Sequence, residues 1–316
     1  MKRNFFIGTN NPTFIGVEST FAKTYELKKF YMLSCSHPLG GSGIGKGTML
    51  KNFADFFEQH GYEIDQFWCS GDPKNSLDAV MVKNAGIGFI TAYGPHAKAQ
   101  IGSEIEEIID FAQFIKPIDQ KEIKEKQKLI KKITDEREIY IVEGAKWLSK
   151  LIDKRDKQQK PNSLEVEHIY KECSEILTSR GINSMVDRTK TVYARSFTSV
   201  GILDNREKLF HKNIFKLHCD EETANAVFQK LQKRYGGYAF LHFLIRGRLE
   251  GLMIDNQLFI QDKLMEKPID INCVKKAANA LYMANAIHGK KEAILKGYVD
   301  FDKVNIFRNK ILRYYK

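Results

Sequence analysis

No apolar run in the 316-residue chain approaches the roughly 18 residues that a membrane-crossing helix needs. The opening Met1-Lys2-Arg3-Asn4-Phe5-Phe6 lacks the apolar segment of a secretory signal, so a cytoplasmic location without a membrane partner is expected. Cysteine is scarce: Cys35, Cys69, Cys173, Cys219 and Cys273 form an odd set with no Cys-x-x-Cys spacing. That pattern suggests neither a disulfide framework nor a structural zinc site, and buried free thiols are expected. His-Glu-x-x-His, Gly-x-Ser-x-Gly and Gly-x-Gly-x-x-Gly are missing too, so the chemistries tied to those motifs have no local support.

What remains is ordinary globular composition, with 43% hydrophobic and 28% charged residues, 7 Pro and 22 Gly. Its length suggests about two domains, each large enough for its own core. The net charge of +11 favours polyanions: nucleotides, nucleic acid or an acidic membrane surface. Sign alone chooses none of them. Much of the excess lies in residues 116–132 and 146–160, where acidic residues are interspersed at helical spacing. A solvated helix face explains that pattern better than a nucleic-acid groove, so nucleic-acid binding rests on charge alone.

One segment carries a sharp chemical signal. Phe30-Tyr31-Met32-Leu33 reads as a buried strand, and Met49 to Gln59, with Leu50, Phe53, Phe56 and Phe57, as an amphipathic helix. Between them lie Gly40, Gly41, Ser42, Gly43, Ile44, Gly45, Lys46, Gly47 and Thr48, in the strand, glycine loop and helix order of a phosphate-binding P-loop. Glycines let backbone amides turn inward, the helix N-terminus adds partial positive charge, and Lys46 supplies an ammonium group. A glycine-rich turn before a helix is the plainer alternative. Two departures stand out. The hydroxyl residue usually placed directly after the lysine is Gly47, with Thr48 following, and Ser34-Cys35-Ser36-His37-Pro38 separates the strand from the first glycine.

Downstream, Ile64 to Cys69 reads as a strand running into the polar stretch Ser70 to Asp78. That stretch is either a turn or a switch segment in which Ser70, Asp72 or Asp78 orients water or Mg²⁺. Gly86 to Ile90 reads as another strand, ending at Thr91 where a Walker-B strand should end in Asp. His96 is equally readable as a loop cap or a phosphate sensor.

With these pieces the chain resembles a little-characterised group of bacterial tandem P-loop proteins labelled ATPase or nucleotide kinase. Arg3 to Gly8 with Gly16, the glycine loop, Gly61-Tyr62, Cys69-Ser70 with Asp72, Ser76-Leu77-Asp78, Gly94-Pro95-His96, Glu104 to Ile109, Ala286-Ile287-His288 and Asp300-Phe301 carry the resemblance over nearly the full length. It implies an internal duplication. Gly16 pairs with Gly201, Cys35 with Cys219, Gly61-Tyr62 with Gly237-Tyr238, and Leu77 to Val82 with Leu249 to Ile254. In the second copy the loop's place is taken by Asp220-Glu221-Glu222-Thr223-Ala224, whose carboxylates would repel a phosphate.

Helical spacing is expected over 104–114, 120–152, 164–179, 271–287 and 304–312, with a flexible connection at 153–163. The expected fold is thus α/β: a P-loop NTPase-type three-layer sandwich with a mostly parallel sheet, duplicated, plus helical appendages. The expected domains are 1–188, with the glycine loop, and 189–316, without one. The expected function is binding of ATP or another NTP with Mg²⁺, and ATPase activity or phosphoryl transfer to a small-molecule acceptor. A nucleotide-responsive regulatory protein with little turnover is the alternative. Lys46 and Asp72 are the catalytic candidates, residues 40–48 hold the nucleotide, and Thr48, Asp72 and Asp78 are the metal candidates.

Overall fold

The computed structural model describes residues 2–14, 25–92, 105–153, 160–185, 187–209, 213–263, 266 and 268–315. The first half is built on β1 (Lys2–Phe6), β2 (Lys29–Ser34), β3 (Ile64–Trp68), β4 (Leu77–Val82), β5 (Ile87–Thr91) and β6 (Glu106–Asp110). They form one sheet in the order β1-β3-β4-β5-β2-β6. β4 is antiparallel to both neighbours and the other pairs are parallel. Chain length explains this. Residues 69–76 join β3 to β4 and 83–86 join β4 to β5, too few for the crossover that a parallel neighbour requires. β2 instead reaches β3 through α1 (Lys46–Gln59), which buries Met49, Leu50, Phe53, Ala54 and Phe57 in the sheet's core.

Residues 106–110 depart from the helical spacing expected over 104–114. They form an edge strand beside β2, followed by a short 3-10 turn at Phe111–Phe114. Ile109 points inward and Ile108 is exposed, an alternation that two adjacent isoleucines alone do not reveal.

The long α2 (Gln120–Asp153) and α3 (Ser163–Ser179) lead to the second half. There β7 (Asp187–Val192) precedes a hairpin of β8 (Arg195–Thr198) and β9 (Gly201–Asp204). β10 (Ile214–Leu217), α4 (Glu221–Tyr235), β11 (Gly236–Leu241), β12 (Leu249–Ile254) and β13 (Gln257–Gln261) follow, and α5 (Ile271–Lys296) and α6 (Phe301–Arg313) close the chain. Taken from β7, the second sheet runs β7-β11-β12-β13-β10, the same order as β1-β3-β4-β5-β2. Like β4, β12 is antiparallel to both neighbours.

The layering corrects the expected three-layer sandwich. One face of the first sheet packs on α1, but Phe5, Phe67, Ala79, Met81 and Ile90 on the other face meet Tyr238, Phe240, Met253, Leu258 and Ile260 of the second sheet. The second sheet's outer face is covered by α3 and α4. The protein is a mixed α/β structure in which two sheets lie face to face between helical layers. The inner faces of both sheets are apolar, and burying them against each other removes them from water without intervening helices.

A buried carboxylate in this apolar seam has its partners. Asp65 is buried, accepting from Arg3 Nε at 2.6 Å and from the hydroxyls of Tyr25 and Tyr238 at 2.6 Å each. The Arg3 guanidinium also lies 4.7 Å from the Tyr238 ring centre.

The last helices cross between the halves. α5 packs along α2, and its Cys273, Ala277, Ala278 and Leu281 join Leu148, Leu151 and Phe197 in one cluster. Further along, Leu295 and Val299, with Val304, Ile311 and Leu312 of α6, belong to the core of the first sheet.

Candidate functional site

β2 ends at Ser34, and the chain is fixed at once by Asp110 at the end of β6. Its carboxylate accepts from Ser36 N at 2.9 Å, from the Ser36 hydroxyl and from Ala112 N at 2.9 Å. Although partial burial works the other way, these donors hold the Asp110 pKa below the usual carboxylate value. Gly40 N then donates to His37 O at 2.8 Å, closing a turn that brings residues 40–48 over the sheet's end.

Gly40, Gly43 and Gly45 have φ of 82°, 72° and 89°, the left-handed region in which a side chain is strained. Gly45 is the N-cap of α1, with no side-chain hydrogen bond and no acid in the first helical turn. By contrast α3, α4, α5 and α6 are capped by Asn162, Asp220, Asp270 and Asp300. The α1 terminus thus carries its partial positive charge without a side-chain acceptor from its N-cap. Lys46 is buried, and its ammonium donates back to Gly41 O inside the loop. The Ser42 hydroxyl is buried there without a hydrogen-bond partner.

The loop's outer wall comes from the end of the chain. A Cβ on Gly43 would lie 2.5 Å from Glu292 O, and one on Gly45 would lie 3.2 Å from the Phe301 ring. From the other side, a Cβ on Gly71 would sit 3.8 Å from Asn285 Oδ1. His288 and Glu292 are one helical turn apart, with Nε2 and Oε1 3.6 Å from each other. Burial and the positive charges of Arg137, Lys291 and Lys46 lower the His288 pKa to about 4, so the ring is neutral at neutral pH. The Glu292 pKa is raised by partial burial and by Asp72, against Lys46 and Lys296. Glu292, His288, Arg137 and Asn285 were absent from the sequence-based site. His288 belongs to the Ala286-Ile287-His288 piece of the resemblance, which gave it no role, and nothing local marks the other three.

The other candidates lie on α1, in the 69–76 connection and on β4 and β5. Thr48 is exposed on α1. Asp72 accepts from the backbone and side chain of Asn75 at 3.3 and 3.0 Å. Asp78 is buried on β4 beside Cys69, whose thiol pKa is pushed well up by burial and then by that carboxylate. Ser70 is buried, with its hydroxyl 3.2 Å from that of Ser196 and its carbonyl accepting from Ser199 N at 3.2 Å. Thr91 pairs in register with Leu33, at the strand end from which the loop departs. Gly16, Gly94-Pro95-His96 and Glu104 lie outside the described residues. Among the described residues no three His, Cys, Asp or Glu side chains converge as a metal site. Among the same residues no helix is long and apolar enough to cross a membrane.

No family model and no solved structure matches the chain. A curated relative, the polyamine aminopropyltransferase of Prochlorococcus marinus (strain MIT 9301), is 33% identical over 135 residues. The match covers 37% of this chain and 45% of that enzyme, so the chain spans less than half of the relative's length. This similarity corrects the nucleotide reading. The relative is named for aminopropyl transfer, and it points away from an ATP-binding ATPase or kinase, from ATP with Mg²⁺ as cofactors, and from a nucleotide-responsive regulator.

Proposed function

We propose that residues 40–48 bind the oxyanion group of a small-molecule ligand, and that the two sheets are versions of one P-loop-like unit of which only the first has its glycine loop. The observation that carries this reading is the buried, unpartnered Ser42 hydroxyl, enclosed by left-handed glycines beside Lys46. An oxyanion in the turn would accept from Ser42, from loop amides and from the first turn of α1, and would compete with Gly41 O for Lys46. Each charge-assisted bond of this kind contributes about 1.5–3 kcal/mol. The corresponding turn of the second half is unsuited to an anion. Glu221 and Glu222 are buried at the start of α4, and Arg248 Nη2 donates to Glu222 Oε1 at 2.9 Å.

The test is a ¹H–¹⁵N titration with orthophosphate and with sulfate. Amides of residues 40–48 shift with a Kd on the order of 1 mM or tighter, and Lys46→Ala removes the response. Loop amides that ignore both anions would refute the reading.

A second reading concerns chemistry and is favoured by the relative's name: group transfer to an amine acceptor. Polyamines incubated with the protein and a cellular small-molecule fraction would gain the mass of an aminopropyl unit; acceptors of unchanged mass argue against it.

A further inference from the structure

We propose that Arg137 of α2 is a further ligand-binding residue of the glycine loop. Its guanidinium meets the oxyanion held by Ser42 and Lys46, and with two cations the site selects a dianion, the charge state of a phosphate monoester, over a monoanion of the same shape. The proposal rests on the oxyanion reading of the loop and adds to it a residue and a charge preference.

Two buried donors border the loop without a hydrogen-bond partner among the described residues. One is the Ser42 hydroxyl inside the turn, and the other is Nε of Arg137. A guanidinium N–H withdrawn from water with no acceptor is costly, so its burial points to an acceptor that the protein alone does not supply.

Helix packing brings this arginine to the loop. α2 and α5 run antiparallel in a register fixed at two places: a Cβ on Gly144 would lie 3.5 Å from Leu281, and Glu136 Oε1 lies 3.7 Å from Lys290 Nζ. Between these contacts Arg137 and His288 stand at the same level. His288 Nε2 is 3.6 Å from Glu292 Oε1, and Glu292 O would be 2.5 Å from a Cβ on Gly43. Arg137 is thus about one helical turn, or roughly 5.4 Å, from the level of the loop. Side chains lean toward the N-terminus of their helix, which on α2 is the direction of Gly43. Earlier on the same helix Gln127 donates to Pro38 O at 3.3 Å, so α2 also borders the entry to the loop.

The charges agree with the geometry. Arg137 and Lys46 both act on the His288 ring and keep it neutral, so His288 itself adds no charge. Two full positive charges and the start of α1 then face the turn, a match for two negative charges. The cations that act on Glu292 are Lys46 and Lys296, and its half-exposed side chain is screened from a bound anion by water.

The experiment is a ¹H–¹⁵N titration of the full chain at about pH 7.5 with methyl phosphate, mostly a dianion there, and with methyl sulfate, a monoanion of the same shape. The Arg137 Nε–Hε signal, identified by its loss in Arg137→Gln, should move on adding methyl phosphate with the same Kd as the loop amides. Methyl phosphate should bind at least about tenfold more tightly than methyl sulfate, the gain expected of one charge-assisted contact. Arg137→Gln should remove most of that preference, whereas Lys132→Gln, the same change of charge at an exposed position of α2, should alter it less than about twofold. An Nε–Hε signal that stays still while the loop amides shift overturns the role of Arg137 and leaves the loop reading intact, as does an Arg137→Gln effect no larger than that of Lys132→Gln. If neither anion moves the loop amides, the loop reading fails and this proposal fails with it.

Discussion

Arg3 and Asp65 face each other in register on adjacent parallel strands, Nε to Oδ1 at 2.6 Å, both buried where the two sheets meet. Because Asp65 also accepts from Tyr25 and Tyr238, one carboxylate ties three segments of the chain together. Removing its cation leaves a buried, uncompensated charge. Arg3→Met should destabilise the protein by about 3–5 kcal/mol in urea unfolding, and Arg3→Met with Asp65→Leu should recover much of the loss. A single variant as stable as the parent would mean that the pair does not hold the seam.

Gly43 is doubly constrained, by its φ of 72° and by Glu292 O at 2.5 Å from any added Cβ. Gly43→Ala should therefore displace the end of α5 or distort the loop. It should lower stability by about 1–3 kcal/mol and abolish the orthophosphate response of the loop amides, both readable from one set of spectra and melts. Gly40→Ala, where a Cβ meets nothing within 4 Å, is strained only by its backbone and should be milder.

Glu250 gives a pH-dependent signature. It is buried among Arg195, Arg206, Asp204 and Glu266, neither carboxylate oxygen has a hydrogen-bond partner, and burial raises its pKa from 4.5 to about 8 despite the two arginines. The folded state therefore holds this proton more tightly than the unfolded state does. Its contribution is complete below the unfolded pKa and is lost as pH rises through about 8. Unfolding free energy measured from about pH 5 to 9 should fall relative to that of Glu250→Gln by on the order of a few kcal/mol. His288 acts in the opposite sense, losing stability as pH drops from 6.5 towards 4, so the difference between the two proteins isolates Glu250.

Truncation after Asp300 removes α6 and with it Val304, Ile311 and Leu312 from the core around β2 and α1. At about 1.5–3 kcal/mol for each buried side chain, the shortened chain should unfold at much lower denaturant or be recovered only as aggregate. Unchanged thermal melting would show that α6 contributes nothing to the core of the first sheet.

Much of the local structure was legible in the residues. Phe30 to Leu33, Met49 to Gln59 and Gln120 to Ile152 carry hydrophobic spacing that depends only on neighbours in sequence, and the structure has β2, α1 and α2 there. Residues 106–110 were misread because two adjacent isoleucines fit either period until β2 supplies a partner. The layering was not legible, since a sheet face made of Phe5, Phe67 and Met81 is equally apolar whether a helix or another sheet covers it. At the loop, glycine spacing disclosed the turn and Lys46. Glu292 and His288 could not be placed there from sequence, because only the path of α5 brings residues so far along the chain to Gly43. The ATP reading went too far for a related reason: glycine spacing with a lysine suits oxyanions in general and says nothing of what is attached to one.

α5 is continuous from Ile271 to Lys296, with one end wedged among Leu148, Leu151 and Phe197 and the other pressed on Gly43. It behaves as a tie rod. From Ala277 to Glu292 the rise is about 22 Å at the usual helical pitch, and the rod cannot shorten along that length. Bulk introduced at Ala277, wholly enclosed between α2 and the hairpin, would thus be felt as a push on the glycine turn more than half of the helix away.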